Sequence, residues 1–295
     1  MTTPSAAAAW WSAARPRTLT TSIAPVAVGT ACAHADGGIA VPAALAALGG
    51  AFAIQIGTNF ANDVFDAKRG ADGPDRRGPP RAVSMGWISA RAMLVAMIAA
   101  FGVATACGAY LVAIAGWPVV AIGVASVLSG IAYTGGPYPL AYHGLGDVFV
   151  LAFFGVVATT GTAFVQRGHV PGLALLASLP IGALATAVLV VNNLRDRDGD
   201  AKVGKRTLAV VLGRRGALLE YAALVAASYA ILIPVIAARG PWLALPFLTL
   251  PLGVVQFRAL AAATDGPSFN RCLAATAQLV LVYGLSLALA IVLSS

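Results

Sequence analysis

The sequence predicts an all-α protein, a polytopic membrane helical bundle of about nine transmembrane helices forming a single domain over residues 1–295. Three observations predict it. Of the 295 residues, 59% are apolar and only 10% charged, whereas soluble domains carry about 25% charged residues. Mean hydropathy is +0.84, and apolar runs of roughly 17 to 25 residues, enough for a helix to cross hydrocarbon, recur along the whole chain. The runs are continuous and do not alternate, which excludes an outer-membrane barrel.

In order, the expected spans are 18–36, 40–62, 88–110, 116–134, 146–165, 172–193, 216–237, 241–262 and 272–293. The first follows "MTTPSAAAAWWSAARPRTL", whose arginines come after the small residues, so it does not read as a cleavable signal peptide. The second connection holds Lys68, Arg69, Arg76, Arg77, Arg81 and Arg91. Its "DGPDRRGPPRA" is too rich in glycine and proline for helix and reads as a long functional cap. The sixth connection holds Arg195, Arg197, Lys202, Lys205, Arg206, Arg214 and Arg215, and the eighth Arg258 and Arg271.

With Arg15 and Arg17, these alternate connections carry 17 of the 19 basic residues, leaving Arg167 and Arg239 for the other side. The positive-inside rule then places the N-terminus and both acidic clusters in the cytoplasm and the C-terminus outside. The net charge of +8 is a topology signal with some attraction to the lipid bilayer surface, and it does not call for nucleic acid. Cys32, Cys107 and Cys272 lie in apolar segments without a CxxC partner and read as small buried residues. His34, His143 and His169 lack a second ligand at helical spacing, so neither zinc nor haem is supported.

The polar signal is a repeat. Asn59 precedes Asp66 by seven residues and Asn193 precedes Asp200 by seven, and each aspartate opens Asp-Ala-Lys-x-Gly. Four spans separate the copies, so both leave the membrane in the same direction and face each other across a central cavity. On helices, Asn59, Asp63 and Asp66 form one polar stripe and Asn193, Asp196 and Asp200 another. Acids at a membrane surface often do no more than balance nearby arginines. Yet seven of the eleven acids fall in these two places, and an unpaired carboxylate in hydrocarbon costs about 2.5 to 3.5 kcal/mol.

Facing Asn and Asp oxygens, with no Cys or His, suit a hard cation such as Mg²⁺. Lys68, Arg69, Lys202, Lys205 and Arg206 stand beside them. Acids, metal and cations together describe a diphosphate site.

The pattern N-x-x-N-D-x-x-D at 59–66, which includes Asn62, and R-D-x-x-x-D at 195–200 resemble the UbiA superfamily of intramembrane aromatic prenyltransferases. Where many members continue the first motif with a further aspartate, this chain has Gly70, and Asp72 two residues on. With "ARPRTL", "GPDRRGPPRAVSMG", "YTGGPYPLAYHGLGD" and "GKRTLAVVLG" in that order, the likeness is to the branch whose acceptor is 1,4-dihydroxy-2-naphthoate.

The resemblance implies polyprenyl diphosphate as donor, loss of CO₂ and pyrophosphate, and Mg²⁺ held by Asp63, Asp66, Asp196 and Asp200, with Asn59 and Asn193 as further oxygens. It places Asn62, Asp72, Arg195 and the neighbouring cations at the substrates, and Arg15 near the aromatic acid. Tyr133, Tyr138 and Tyr142 are candidates to face an allylic cation or to sit in an interfacial belt. Asp147 is either a further site carboxylate or a helix-end acid.

Rival readings are a related prenyltransferase with 4-hydroxybenzoate, haem or chlorophyllide as acceptor, and a cation transporter with paired Asn and Asp groups. A CDP-alcohol phosphotransferase would need an Asp-Gly-x-x-Ala-Arg block. The sequence has none.

Overall fold

The computed structural model describes residues 4–70 and 77–295. Ten helices organise it, and no strand occurs among the described residues. A short α1 (Ala6–Ala14) starts at Ser5, whose side chain accepts from the Ala8 N–H at 3.3 Å. It ends at Arg15, a non-glycine residue in the left-handed region with φ 56°. Then follow α2 (Ile23–Ala35), α3 (Val41–Lys68), α4 (Ala90–Ala115) and α5 (Pro118–Ala132).

The remaining helices are α6 (Gly146–Arg167), α7 (Gly172–Lys202), α8 (Leu208–Arg239), α9 (Pro241–Ala262) and α10 (Gly266–Leu293). These nine helices, α2 to α10, overlap the nine expected spans one for one. Seven of them are long and apolar enough to cross a membrane, so the chain is a multi-pass membrane protein. The other two are short: α2 has 13 residues and α5 has 15, about 20 and 22 Å against a hydrocarbon core of about 30 Å. For α2 the cause is local, because Pro16–Leu19 and Thr20–Ser22 form separate turns before it.

Two of the helices that outrun the expected bounds carry the acidic motifs. α3 extends through Lys68 and α7 through Lys202, so each carries its acidic motif as helix. Interior backbone hydrogen bonds are retained there, and the acids are held on a defined face.

The bundle is organised around α7, the most enclosed helix. Its Ile181 and Leu184 pack with Ala24 and Val28 of α2, Tyr221 of α8 and Tyr283 and Leu287 of α10. Glycines allow the closest approaches: a Cβ on Gly155 of α6 would lie 2.5 Å from the Gly182 Cα of α7. Inside the apolar core, phenols find interhelical partners, as in Tyr221 with Thr276 at 3.1 Å and Tyr229 with Thr249 at 2.8 Å. Outside, Val95, Leu219 and Leu248 are exposed, the arrangement expected where the solvent is lipid.

Candidate active site

The last two turns of α3 place Asn59, Asn62, Asp63 and Asp66 on one buried flank, with Asp63 only 2% and Asp66 only 3% exposed. Carboxylates at a helix C-terminus meet the negative end of its dipole and, when buried, require donors. The segment after the first motif supplies them. Backbone N–H groups of Ala82 and Val83 donate to Asp63 at 3.3 and 3.0 Å, and Arg81 pairs with Asp66 at 3.3 Å. Asn62 accepts from the Thr134 hydroxyl at 2.8 Å, and Asn59 donates to the Ala14 carbonyl at 3.0 Å, tying α3 to the end of α1 beside Arg15.

The end of α7 builds the opposite wall. Asn193, Arg195 and Asp200 are buried there. Arg195 grips Asp196 through two nitrogens at 2.9 and 2.7 Å, and also donates to Asn192 at 2.8 Å and Asn270 of α10 at 2.9 Å. Lys205 lies 3.5 Å from Asp200. Asp198, off this stripe, is exposed and pairs with Arg197 at 2.7 Å and Arg77 at 3.1 Å.

The two walls meet. Asp66 and Asp196 both lie within electrostatic reach of Asp200. Tyr142 is the physical bridge: its hydroxyl donates to Asp66 at 3.4 Å, Arg69 lies 4.9 Å from its ring centre and Lys205 5.6 Å. Burial pushes its phenol above the ordinary tyrosine range, the Asp66 carboxylate adds to that, and Arg69 opposes it. Arg69 also donates to the carbonyls of Thr134 and of Gly136, the latter at 2.8 Å. Tyr133 lies in the field of Asp147, Asp66, Asp200 and Arg15, so it too is central.

Other expected residues are placed differently. Tyr138 is exposed and stacked on His143, with ring centres 3.6 Å apart, on the outside of the loop. Lys68 reaches over the Phe65 ring at 5.9 Å. Lys202 and Arg206 are exposed, and the Arg206 backbone N–H holds the Tyr142 carbonyl at 3.1 Å. Arg195 is buried against Asp196 and the two asparagines, whereas the resemblance places it at substrate. Asp72 lies outside the described residues.

Sequence reasoning missed Arg81 and Asn270 as site residues, reading Arg81 only as a topology charge. Their contacts are long-range, and only the position of Arg81 inside the glycine- and proline-rich cap hinted at its place. Asp147 is buried, and its Oδ1 has no hydrogen-bond partner among the described residues.

Below the acids, a cavity of about 330 Å³ descends among α2, α3, α4, α5 and α6. Asn59, Asn62 and Tyr133 line its polar end, and Gly50, Gly108 and Phe153 are among its apolar walls.

The donor set suits a hard divalent ion, being carboxylate and amide oxygen throughout with no thiol or imidazole. Among the described residues no three acids converge as a ready cage.

The sequence pattern of the UbiA prenyltransferase family matches residues 22–282. The chain belongs to that family. Among its UbiA-family relatives, the 1,4-dihydroxy-2-naphthoate octaprenyltransferase of Mycobacterium leprae (strain TN) is 35% identical over 287 residues, 97% of each chain. The Escherichia coli (strain K12) protein of the same description is 36% identical, covering 97% of this chain and 96% of its own. A UbiA homolog from Archaeoglobus fulgidus, solved bound to GPP and Mg²⁺, shares the fold with a TM-score of 0.65 at 16% identity. The match covers 95% of this chain and 99% of that one.

Proposed function

We propose that this chain acts as one domain to transfer a polyprenyl group from polyprenyl diphosphate to 1,4-dihydroxy-2-naphthoate, giving demethylmenaquinol, which a separate two-electron oxidation converts to demethylmenaquinone, for menaquinone biosynthesis. One observation carries the reading: the buried acids Asp63 and Asp66 continue the flank of α3 whose Asn59 and Asn62 line the polar end of an apolar cavity, and the buried Asp200 of α7 lies within electrostatic reach of Asp66. A diphosphate at the acids and a hydrocarbon tail in the cavity match that division of chemistry. The relatives from M. leprae and E. coli support the naphthoate acceptor.

Asp63, Asp66, Asp196 and Asp200 would hold Mg²⁺, with Asn59 and Asn193 as further oxygen donors. When bound, the metal supplies positive charge that stabilises the departing pyrophosphate. Arg69 and Lys205, adjacent to Tyr142, hold the remaining diphosphate oxygens, and Lys68, Lys202 and Arg206 extend the basic rim. Tyr133, facing the cavity between the acids, presents its ring to positive charge developing on the allylic carbon. Arg15, near Tyr133, is placed for the acceptor's carboxylate. The dry walls keep water from the reacting carbon.

The bookkeeping of the step closes without a redox cofactor. The allylic C–O bond breaks and its electron pair leaves with pyrophosphate. The ring carbon bearing the carboxylate forms the new C–C bond, and the C–CO₂ bond then breaks and returns its pair to the ring.

Naphthoate labelled in the carboxyl carbon tests this with purified protein, Mg²⁺ and a polyprenyl diphosphate. Label released as CO₂ in step with pyrophosphate is the expected result. Label retained in the prenylated product, or turnover of 4-hydroxybenzoate in place of naphthoate, overturns the acceptor.

A further inference from the structure

The cavity below the acids has one level where its walls are bare. A Cβ built on Gly50 of α3 lies 3.5 Å from the Cys107 Cβ, which brings the next residue of α4, Gly108, beside Gly50. A Cβ on Gly130 of α5 would meet the Thr58 hydroxyl of α3 at 2.5 Å, so Gly130 and Thr58 are level. Both helices run toward the same end of the bundle, since the Thr134 hydroxyl just after α5 donates to Asn62 near the end of α3 at 2.8 Å. Seven residues back along each, Gly123 is therefore level with Ala51. Gly108 and Gly123 thus face the cavity at one depth, twelve residues below Asn62, or about 18 Å.

Neither glycine is forced by packing. A Cβ on Gly108 or on Gly123 would meet no atom within 4 Å, and both stand inside helices, where glycine is unfavourable relative to alanine. Close helix contact explains Gly155 and Gly182. It explains neither of these two, whose missing side chains leave the passage open. The floor lies further on, where Leu111, Val119 and Val165 pack together.

We propose, on the reading of the site as a prenyl diphosphate site, that Gly108 and Gly123 set which prenyl chain lengths the enzyme accepts. An isoprene unit adds four chain bonds of about 1.5 Å each, an advance of roughly 5 Å. A geranyl chain, roughly 10 Å long, ends above the two glycines, and a geranylgeranyl chain, roughly 20 Å, reaches their level. Bulk at this level obstructs the longer tail and leaves the shorter one free.

The test is a competition in which purified full-length protein receives naphthoate with equal geranyl and geranylgeranyl diphosphate, and products are counted by mass spectrometry. Gly108→Phe and Gly123→Phe should each lower the long-to-short product ratio by roughly tenfold or more, the scale on which a pocket rejects misfitting apolar groups. Geranyl turnover should stay within about twofold of the parent. Gly102→Phe, on α4 but outside the cavity lining, is the control and should leave the ratio alone.

Gly108→Leu and Gly123→Leu repeat the measurement with less bulk, should a phenylalanine variant not fold. An unchanged ratio in folded variants, an equal fall in both products, or an equal shift in Gly102→Phe overturns the proposal. A parent protein that prenylates with neither diphosphate overturns the functional reading instead.

Discussion

Arg195 holds Asp196 through two parallel hydrogen bonds, at 2.9 and 2.7 Å, while its other donors reach Asn192 and Asn270. This pairing fixes the second motif to the start of α10. It also means that the positive charge nearest Asp196 is already part of the wall. Gly78 closes over it, since a Cβ there would lie 2.9 Å from the guanidinium carbon.

Removing Arg195 takes from the partly buried Asp196 carboxylate its two-nitrogen ion pair. Arg195→Ala should therefore destabilise the protein by roughly 3 to 5 kcal/mol, the usual cost of breaking a buried pair from one side. Thermal unfolding in detergent measures it. A loss as small as that of an exposed pair, about 1 kcal/mol or less, would contradict the geometry.

The acids should separate by position. Asp63→Asn, Asp66→Asn, Asp196→Asn and Asp200→Asn should each lower turnover by roughly a hundredfold or more, because a neutral amide loses the charge that Mg²⁺ needs. Asp198→Asn, exposed and paired with Arg197 and Arg77, should cost only a few-fold. Equal inactivation by Asp198→Asn, or full activity in EDTA, would refute the assigned ligands.

Tyr142 touches Asp66 by its hydroxyl and two cations by its ring, so two substitutions separate the roles. Tyr142→Phe removes one long hydrogen bond and should change kcat/KM by about tenfold at most. Tyr142→Ala also removes the ring from beside Arg69 and Lys205, and should raise KM for the diphosphate more strongly. Indistinguishable variants would mean that the ring contributes nothing.

Topology is tested with single cysteines in a cysteine-free background. Position 214 should resist an impermeant thiol reagent applied from outside and position 239 should react, following the distribution of basic residues. Labelling of position 214 from outside would invert the orientation.

The all-helical membrane class and the nine helical segments were legible in the sequence. Hydropathy over 20 residues and the helical repeat are local properties, set by the chain's own transfer energies and backbone geometry. The pairing of Asn62 with Thr134, of Asp63 with the N–H groups of Ala82 and Val83, and of Arg195 with Asn270 was decided only by the tertiary structure. So were the outward turn of Tyr138 onto His143 and the open level at Gly108 and Gly123. A buried polar group must find a donor wherever packing brings one, and an apolar cavity exists only between helices. Neither condition is written in the spacing of residues along one helix, because each depends on which faces of separate helices the bundle brings together.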